Sequence, residues 1–376
     1  MKYYIIAGEA SGDLHGSNLM KAIIEKDNEA EFRFWGGDQM QNVTNGLVKH
    51  IKHLAFMGFI EVVMNIRTIA KNIKFCKQDL LNYQPDALIL IDYPGFNLRI
   101  AEFAHQNNIR IHYYISPQIW AWKQNRVHKI KRVVNEMYCI LPFEKEFYKK
   151  FNVDVHYVGH PLVDAINNFK RIALSKNEFL QKNNLRDKPI LAILPGSRNQ
   201  EIKVKLPLMI KASASFPNHQ IVIAGAPNKT ETFYKPFINN TNVIVLENQT
   251  YDLLNHSDLA IVTSGTATLE TALFKVPQVV CYKASAISYH IAKRLVKIDY
   301  ISLVNLIMDK EVVTELIQGD LIVKNIVEEL KKIENHQSNG RLEMINQYHQ
   351  LIQKLGGGGA SQKVANLLIK DITNNA

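Results

Sequence analysis

Tyr3-Tyr4-Ile5-Ile6-Ala7-Gly8-Glu9-Ala10-Ser11-Gly12-Asp13-Leu14-His15-Gly16 passes from a short apolar run, through a loop of small and acidic residues, into a helical pattern. An apolar run of this length suits a buried strand, and small residues after it let the chain turn tightly into a helix whose first amides stay free. The same change of pattern recurs along the chain. Short apolar runs at 3–7, 87–91, 109–115, 136–140, 190–194, 221–224, 242–246, 259–262 and 278–282 alternate with longer helical stretches. Continuously apolar strands separated by helices predict parallel sheets covered on both faces, an α/β fold.

The rhythm breaks once, in a polar stretch rich in Asn and Lys between Pro161 and Pro189. A chain of 376 residues exceeds the size at which one core stops growing. The expected organisation is a Rossmann-like domain over 1–165, a linker over 166–188, a second Rossmann-like domain over 189–355, and a C-terminal segment, 356–376, whose helix packs back across either domain after the glycines 356–359. Doubly wound sheets bind ligands at the carboxyl ends of their strands, so two such domains predict an interdomain cleft. No solenoid period is present.

Hydrophobic residues at 47% and charged residues at 21% describe a globular protein rather than a disordered or collagen-like one. The net charge of +10 favours anionic partners without choosing among phosphates, nucleic acid and an acidic membrane. Cys76, Cys139 and Cys281 are far apart and odd in number, which points away from a disulfide framework or zinc site and toward reduced cytoplasm. The first residues carry no signal-peptide pattern, and no stretch reaches the ~20 apolar residues of a spanning helix, so membrane contact is expected to be peripheral.

Chemistry concentrates in the loops after the strands. In the first, Glu9, Ser11 and Gly12 stand where a helix N-terminus can meet a phosphate or sugar oxygen; a plain turn capped by Ser11 or Asp13 explains them as well. The spacing is not the GxGxxG of a dinucleotide enzyme. The run 87–91 ends in Asp92-Tyr93-Pro94-Gly95-Phe96-Asn97, placing a carboxylate that can take a proton from a hydroxyl, or alternatively cap the next helix. Leu194-Pro195-Gly196-Ser197-Arg198 offers a hydroxyl and a guanidinium to a diphosphate, against a bland surface arginine. Thr263-Ser264-Gly265-Thr266-Ala267-Thr268-Leu269-Glu270 exposes helix amides to an anion, and Glu270 can accept ribose hydroxyls or simply be solvated. Asn305, polar in an apolar run, either meets a donor sugar or is satisfied by backbone.

These residues, with Ser116-Pro117-Gln118-Ile119-Trp120-Ala121-Trp122 and Leu141-Pro142-Phe143-Glu144, resemble the lipid-A-disaccharide synthase family over nearly the whole chain. The resemblance implies a GT-B fold and inverting transfer of 2,3-diacylglucosamine from UDP-2,3-diacylglucosamine to 2,3-diacylglucosamine 1-phosphate. It implies Asp92 as general base, acting with Arg198. It matches Arg198, Glu270 and Asn305 to donor-binding positions; Ser197, Ser264, Gly265, Thr266 and Ala267 in the same loops are expected to bind the UDP-sugar with them, and Glu9, Ser11 and Gly12 to bind the acceptor. Gly95 stands where some members carry a second Asp, which leaves Asp92 alone in that role. No cofactor and no metal are expected, since Arg198 and a helix end can take the leaving diphosphate's charge.

Diacylated sugars are insoluble, so the enzyme is expected at the cytoplasmic face of the inner membrane. The segment 56–75 presents Ile60, Val62, Val63, Ile66 and Ile69 edged by Arg67, Lys71 and Lys74, the character of an interfacial anchor or of a core helix. Lys123, Arg126, His128, Lys129, Lys131 and Arg132 follow Trp120 and Trp122; a solvated face near lipid headgroups accounts for them, and nucleic acid is not expected as a partner. The pattern leaves a homodimer open. The rival readings are another GT-B UDP-sugar transferase, a UDP-GlcNAc epimerase, and, in a different class, a non-catalytic membrane or RNA binder.

Overall fold

The structure is a computed structural model that describes residues 1–54, 65–227, 229–239, 241–284, 289 and 298–375. Its contacts divide the chain into two units, Met1–Pro161 joined by Gly357–Ala376, and Leu162–Gly356. The stretch 166–188, read as a linker, carries the end of helix Pro161–Ile172 and all of helix Lys176–Lys182. Phe179 and Leu180 from it lie in the second unit's core.

The first unit holds a 7-stranded sheet in the order β3-β2-β1-β4-β5-β6-β7, with every pairing parallel. The strands are β1 Lys2–Ala7, β2 Glu31–Gly36, β3 Leu47–His50, β4 Ala87–Ile91, β5 Ile111–Tyr114, β6 Glu136–Cys139 and β7 His156–Tyr157. β1 and β4 are buried along almost their whole length, as central parallel strands must be. One face of the sheet is covered by helix Ala10–Ile24 and the C-terminal helix Ala360–Asn374, whose Val364, Ala365, Leu368 and Ile372 join Leu19 and Ile23 in one cluster. Arg110, just before β5, pairs with Asp371 of that last helix.

The second unit repeats the plan with a 6-stranded sheet, β10-β9-β8-β11-β12-β13, also wholly parallel. Its strands are β8 Ile190–Leu194, β9 Gln220–Gly225, β10 Ile244–Glu247, β11 Leu259–Thr263, β12 Gln278–Tyr282 and β13 Glu315–Ile317. Each sheet reverses its strand order once, between β1 and β4 and between β8 and β11. At such a reversal the flanking loops diverge to opposite faces and leave a crevice at the strands' carboxyl ends. Apart from Asn305 and the residues expected at a membrane, the candidate residues follow those four strands.

Candidate active site

In the first unit, the crevice is bounded by the loop after β1 and the loop after β4. Asp92 (φ 43°) and Tyr93 (φ 48°) both adopt the left-handed conformation, as does the β-branched Ile115 (φ 64°) at the end of the adjacent β5. Such backbone is costly for these residues, and its concentration at two neighbouring strand ends marks a site held by its surroundings. The Asp92 carbonyl accepts hydrogen bonds from Tyr113 Oη at 2.5 Å and Asn97 Nδ2 at 2.8 Å. Tyr93 folds its ring over Gly8, where a Cβ would sit 2.3 Å from the ring. Only glycine permits that approach.

Asp92 is half-buried, and burial, helped by the charge of nearby Glu9, pushes its carboxyl up to about 6. A carboxylate that holds its proton this long is a stronger base when ionised and is matched to chemistry near neutrality. Glu9 is the N-cap residue of helix Ala10–Ile24, yet its side chain does not cap it, and Ser11 is exposed. Glu9 is half-buried and lies near Asp92. Gly12 is buried, and a Cβ there would lie 3.2 Å from that of Ala7. Its smallness seats the helix on β1.

Three features of this unit left no mark in the sequence. Asp13 caps a different helix from its own: its carboxylate accepts from the backbone N–H groups of Gly37, Gln39 and Met40 at 2.6, 3.0 and 3.0 Å, fixing the start of helix Asp38–Gln41. Glu144, quoted above only for its resemblance, is fully buried and accepts from the N–H groups of Ile140 and Leu141 at 3.2 and 2.9 Å; burial raises its carboxyl to about 7. Next to it the Ser116 hydroxyl meets Tyr148 Oη at 2.8 Å, while Trp120 packs edge-on against Phe143. The 116–122 and 141–144 motifs thus form one packed block beside β5 and β6. His15 and the buried His160 lie near each other, and burial holds both neutral, at about 4 and about 3.

Of the five apolar residues expected at a membrane, Ile60, Val62 and Val63 lie outside the described residues. Helix Ile66–Tyr83 buries Asn72, Cys76, Asp79 and Leu80, leaves Ile66 63% exposed as its first residue, and exposes Arg67, Lys71 and Lys74. Ile69 is half-buried. Ile66 therefore does not belong to the core. Trp122, 41% exposed, carries the cations of Lys123 and Arg126 over its ring at 4.4 and 5.7 Å. Among the described residues no helix is long and apolar enough to cross a membrane.

In the second unit, the crevice is bounded by the loops after β8 and β11. Gly196 (φ 90°) turns the chain, Ser197 and Arg198 are exposed, and Arg198 is the N-cap residue of helix Asn199–Ser213 without side-chain capping. Arg198 Nη1 donates to Glu201 Oε1 at 3.0 Å. After β11, Gly265 (φ 147°) begins helix Thr266–Leu273 with no side chain capping it, and Gly265 and Thr266 are exposed. The first amides of that helix are available to an anion. Ser264 is half-buried and donates to the Ile301 carbonyl at 3.0 Å, and Ala267 is half-buried against the core. Glu270 is half-buried and accepts from Tyr251 Oη at 3.0 Å; burial raises its carboxyl and the tyrosine partly offsets this.

Asn305 is placed differently from expectation. It is fully buried, its Nδ2 donates to the Val313 carbonyl at 2.8 Å and to Glu315 Oε1 at 2.9 Å, and its Oδ1 accepts from the N–H groups of Val312 and Val313 at 2.8 and 3.0 Å. With two donors and two lone pairs all engaged, the amide has nothing left for a ligand in this arrangement. It holds the 312–315 segment, while Glu315 ties down the N–H groups of Ile301 and Ser302, both at 2.9 Å. Among the described residues no group of three or more His, Cys, Asp or Glu side chains could hold a metal ion.

Comparison with known proteins places this geometry. A family profile described as lipid-A-disaccharide synthetase matches residues 3–367. Proteins named lipid-A-disaccharide synthase are similar along the chain. That of Syntrophus aciditrophicus (strain SB) is 38% identical, covering 96% of this chain and 95% of that protein. The one from Geobacter sulfurreducens is 34% identical, covering 97% and 96%. Among solved structures, the UDP-GlcNAc 2-epimerase from Neisseria meningitidis bound to UDP-GlcNAc superposes with a TM-score of 0.70 at 13% identity, covering 98% of this chain and 100% of that one. The calicheamicin glycosyltransferase does so at 0.61 and 13%, covering 100% and 99%. At these identities the structures speak for the fold alone, a GT-B architecture of two parallel-sheet α/β domains.

Proposed function

The chain belongs to the lipid-A-disaccharide synthetase family, and from that premise we propose that it transfers 2,3-diacylglucosamine from UDP-2,3-diacylglucosamine to 2,3-diacylglucosamine 1-phosphate with inversion, releasing UDP. The observation that carries the reading is Asp92, a half-buried carboxyl with its pKa raised to about 6, presented on strained backbone at a strand-order reversal. Asp92 takes the proton from the acceptor's 6-hydroxyl as that oxygen attacks the donor's anomeric carbon. The bond to the UDP oxygen breaks on the opposite face, so one displacement inverts the centre. Glu9 and Ser11, at the mouth of the same crevice, contact the acceptor.

The departing diphosphate gains negative charge as its bond breaks, and charge there is best met by donors already in place. Arg198, the Ser197 hydroxyl and the first amides of helix Thr266–Leu273 serve this role, and Glu270 accepts the ribose hydroxyls. The lipid chains keep both substrates in a bilayer. Ile66 with its flanking cations, together with Trp122 between Lys123 and Arg126, suits peripheral contact with the anionic cytoplasmic face of the inner membrane.

The test supplies both lipid substrates in mixed micelles and follows UDP and disaccharide together. Equimolar appearance of the two, dependent on the acceptor, is expected. Isomerisation of UDP-GlcNAc without an acceptor, with no disaccharide formed, overturns the reading in favour of an epimerase.

A further inference from the structure

The second unit contains a buried cation that the reaction just described does not use. Lys205, on helix Asn199–Ser213, has a side chain 1% exposed, and its Nζ lies 3.2 Å from Glu201 Oε2. The other oxygen of Glu201 is the one that takes Arg198 at 3.0 Å. One carboxylate thus bridges an exposed guanidinium and a buried ammonium along three points of a single helix face.

Stability alone does not account for this lysine. Removing an ammonium from water is expensive, and an apolar side chain of the same size commonly serves packing as well or better. Desolvation pulls the Lys205 pKa down, and Glu201 only partly restores it. The placement of Glu201 supplies the reason. A Cβ added to Gly196 would lie 3.2 Å from Thr263 and 3.7 Å from Glu201 Oε2, so the carboxylate sits directly against the loop read as the diphosphate cradle. A lone carboxylate there repels the diphosphate it adjoins. Pairing with Lys205 neutralises it, and leaves the Arg198 charge in excess.

We propose that Glu201 and Lys205 are positioning residues for a nucleoside diphosphate: Glu201 aims the Arg198 guanidinium across the cradle, and Lys205 cancels the charge of Glu201 so that Arg198 can exchange it for phosphate. The proposal rests on the reading of this unit as the UDP-sugar site. On ligand entry Arg198 turns from Glu201 to the phosphate oxygens, and Glu201 keeps a partner throughout.

The experiment titrates UDP by calorimetry into the wild-type protein, R198A, E201Q, K205M and the double variant E201Q/K205M, with melting temperatures recorded for each. Like-charge juxtaposition predicts that K205M weakens UDP about 10-fold or more, that E201Q changes it by about 3-fold at most, and that the double variant returns to within about 3-fold of E201Q. Recovery in the double variant sets a positioning role apart from direct contact, because a lysine that itself gripped phosphate would leave the double variant as weak as K205M. That result overturns the proposal, as does a K205M protein with a lowered melting temperature and unchanged UDP affinity. Should K205M not fold, the double variant against E201Q decides, with equal affinity in support and about 10-fold weaker binding against. Wild-type protein that does not bind UDP, or R198A that binds it equally, removes the underlying reading instead.

Discussion

Tyr113 Oη donates to the Asp92 backbone carbonyl at 2.5 Å, from the strand beside the one that Asp92 ends. Burial holds the Tyr113 hydroxyl far above its ordinary pKa, so it remains a donor at every working pH. With Asn97 on the same carbonyl, the backbone is fixed at an unfavourable φ, and the Tyr93 backbone N–H donates to the carboxyl itself. The base is positioned through its main chain as well as through its side chain.

Asp92→Asn removes the base while keeping its shape. Turnover is expected to fall roughly 100-fold or more, measured as disaccharide formed per minute with both lipid substrates saturating. In the wild-type enzyme the base must be ionised, so kcat/KM rises with pH through about 6 and levels off above it. The stability effect has the opposite sense. The folded state raises this pKa above its ordinary 3.8, so the cost of a buried charge is absent below that value, grows through the window up to about 6 and is complete above. Asn therefore raises the melting temperature at pH 8 and leaves it unchanged at pH 3.5.

Tyr113→Phe keeps the packing and deletes the hydrogen bond. A loss of about 1 to 2 kcal/mol in urea unfolding is expected, together with a kcat decrease of about 10-fold and little change in acceptor KM. A stability loss without a change in kcat places Tyr113 outside the aiming device.

Asp13→Ala leaves three backbone N–H groups of the 37–40 turn without their acceptor. Removing a charged cap of this kind costs about 2 to 3 kcal/mol. Activity per folded molecule is expected to stay within about 2-fold of wild type, because Asp13 is buried and acts on the fold.

Asn305→Ala tests the reassignment of a residue whose polarity suggested a ligand. Loss of its four hydrogen bonds is expected to cost about 3 kcal/mol or more, while UDP affinity of the folded protein, measured by calorimetry, stays within about 3-fold. A larger fall in affinity at unchanged stability restores the donor-binding role.

Val63→Ser with Ile66→Ser tests the lipid surface. Sedimentation with vesicles containing anionic lipid is expected to drop about 10-fold or more, with the far-ultraviolet spectrum and UDP affinity unchanged. Unaltered sedimentation with a lowered melting temperature assigns the segment to the core.

The all-apolar runs were readable because burial on both faces writes itself into every residue, and β1, β4, β8 and β12 coincide with the stretches so read. β2 was not, because Arg33 interrupts it; the guanidinium is tolerated through Asp79, 2.8 Å away and distant in sequence. β7 and β13 are too short to show a period. At the site, the loop positions of Asp92, Arg198 and Glu270 follow from strand ends, which the sequence marks. The partners that decide whether a polar or small residue is free, such as Val313 and Glu315 for Asn305 or Ala7 and Ile91 for Gly12, are set by how the chain folds back and follow no helical or strand period. Tyr113 and Ile115 read simply as strand residues.

The helix Ala360–Asn374 lies in the core of the unit that the first residues begin. A nascent chain emerging from the ribosome therefore cannot finish its first domain until its last helix has been made, and the second unit is complete before the first. Until then Leu19, Ile23 and their neighbours wait without the cover that this helix gives them. A deletion that removes helix Ala360–Asn374 acts on the domain that carries Asp92.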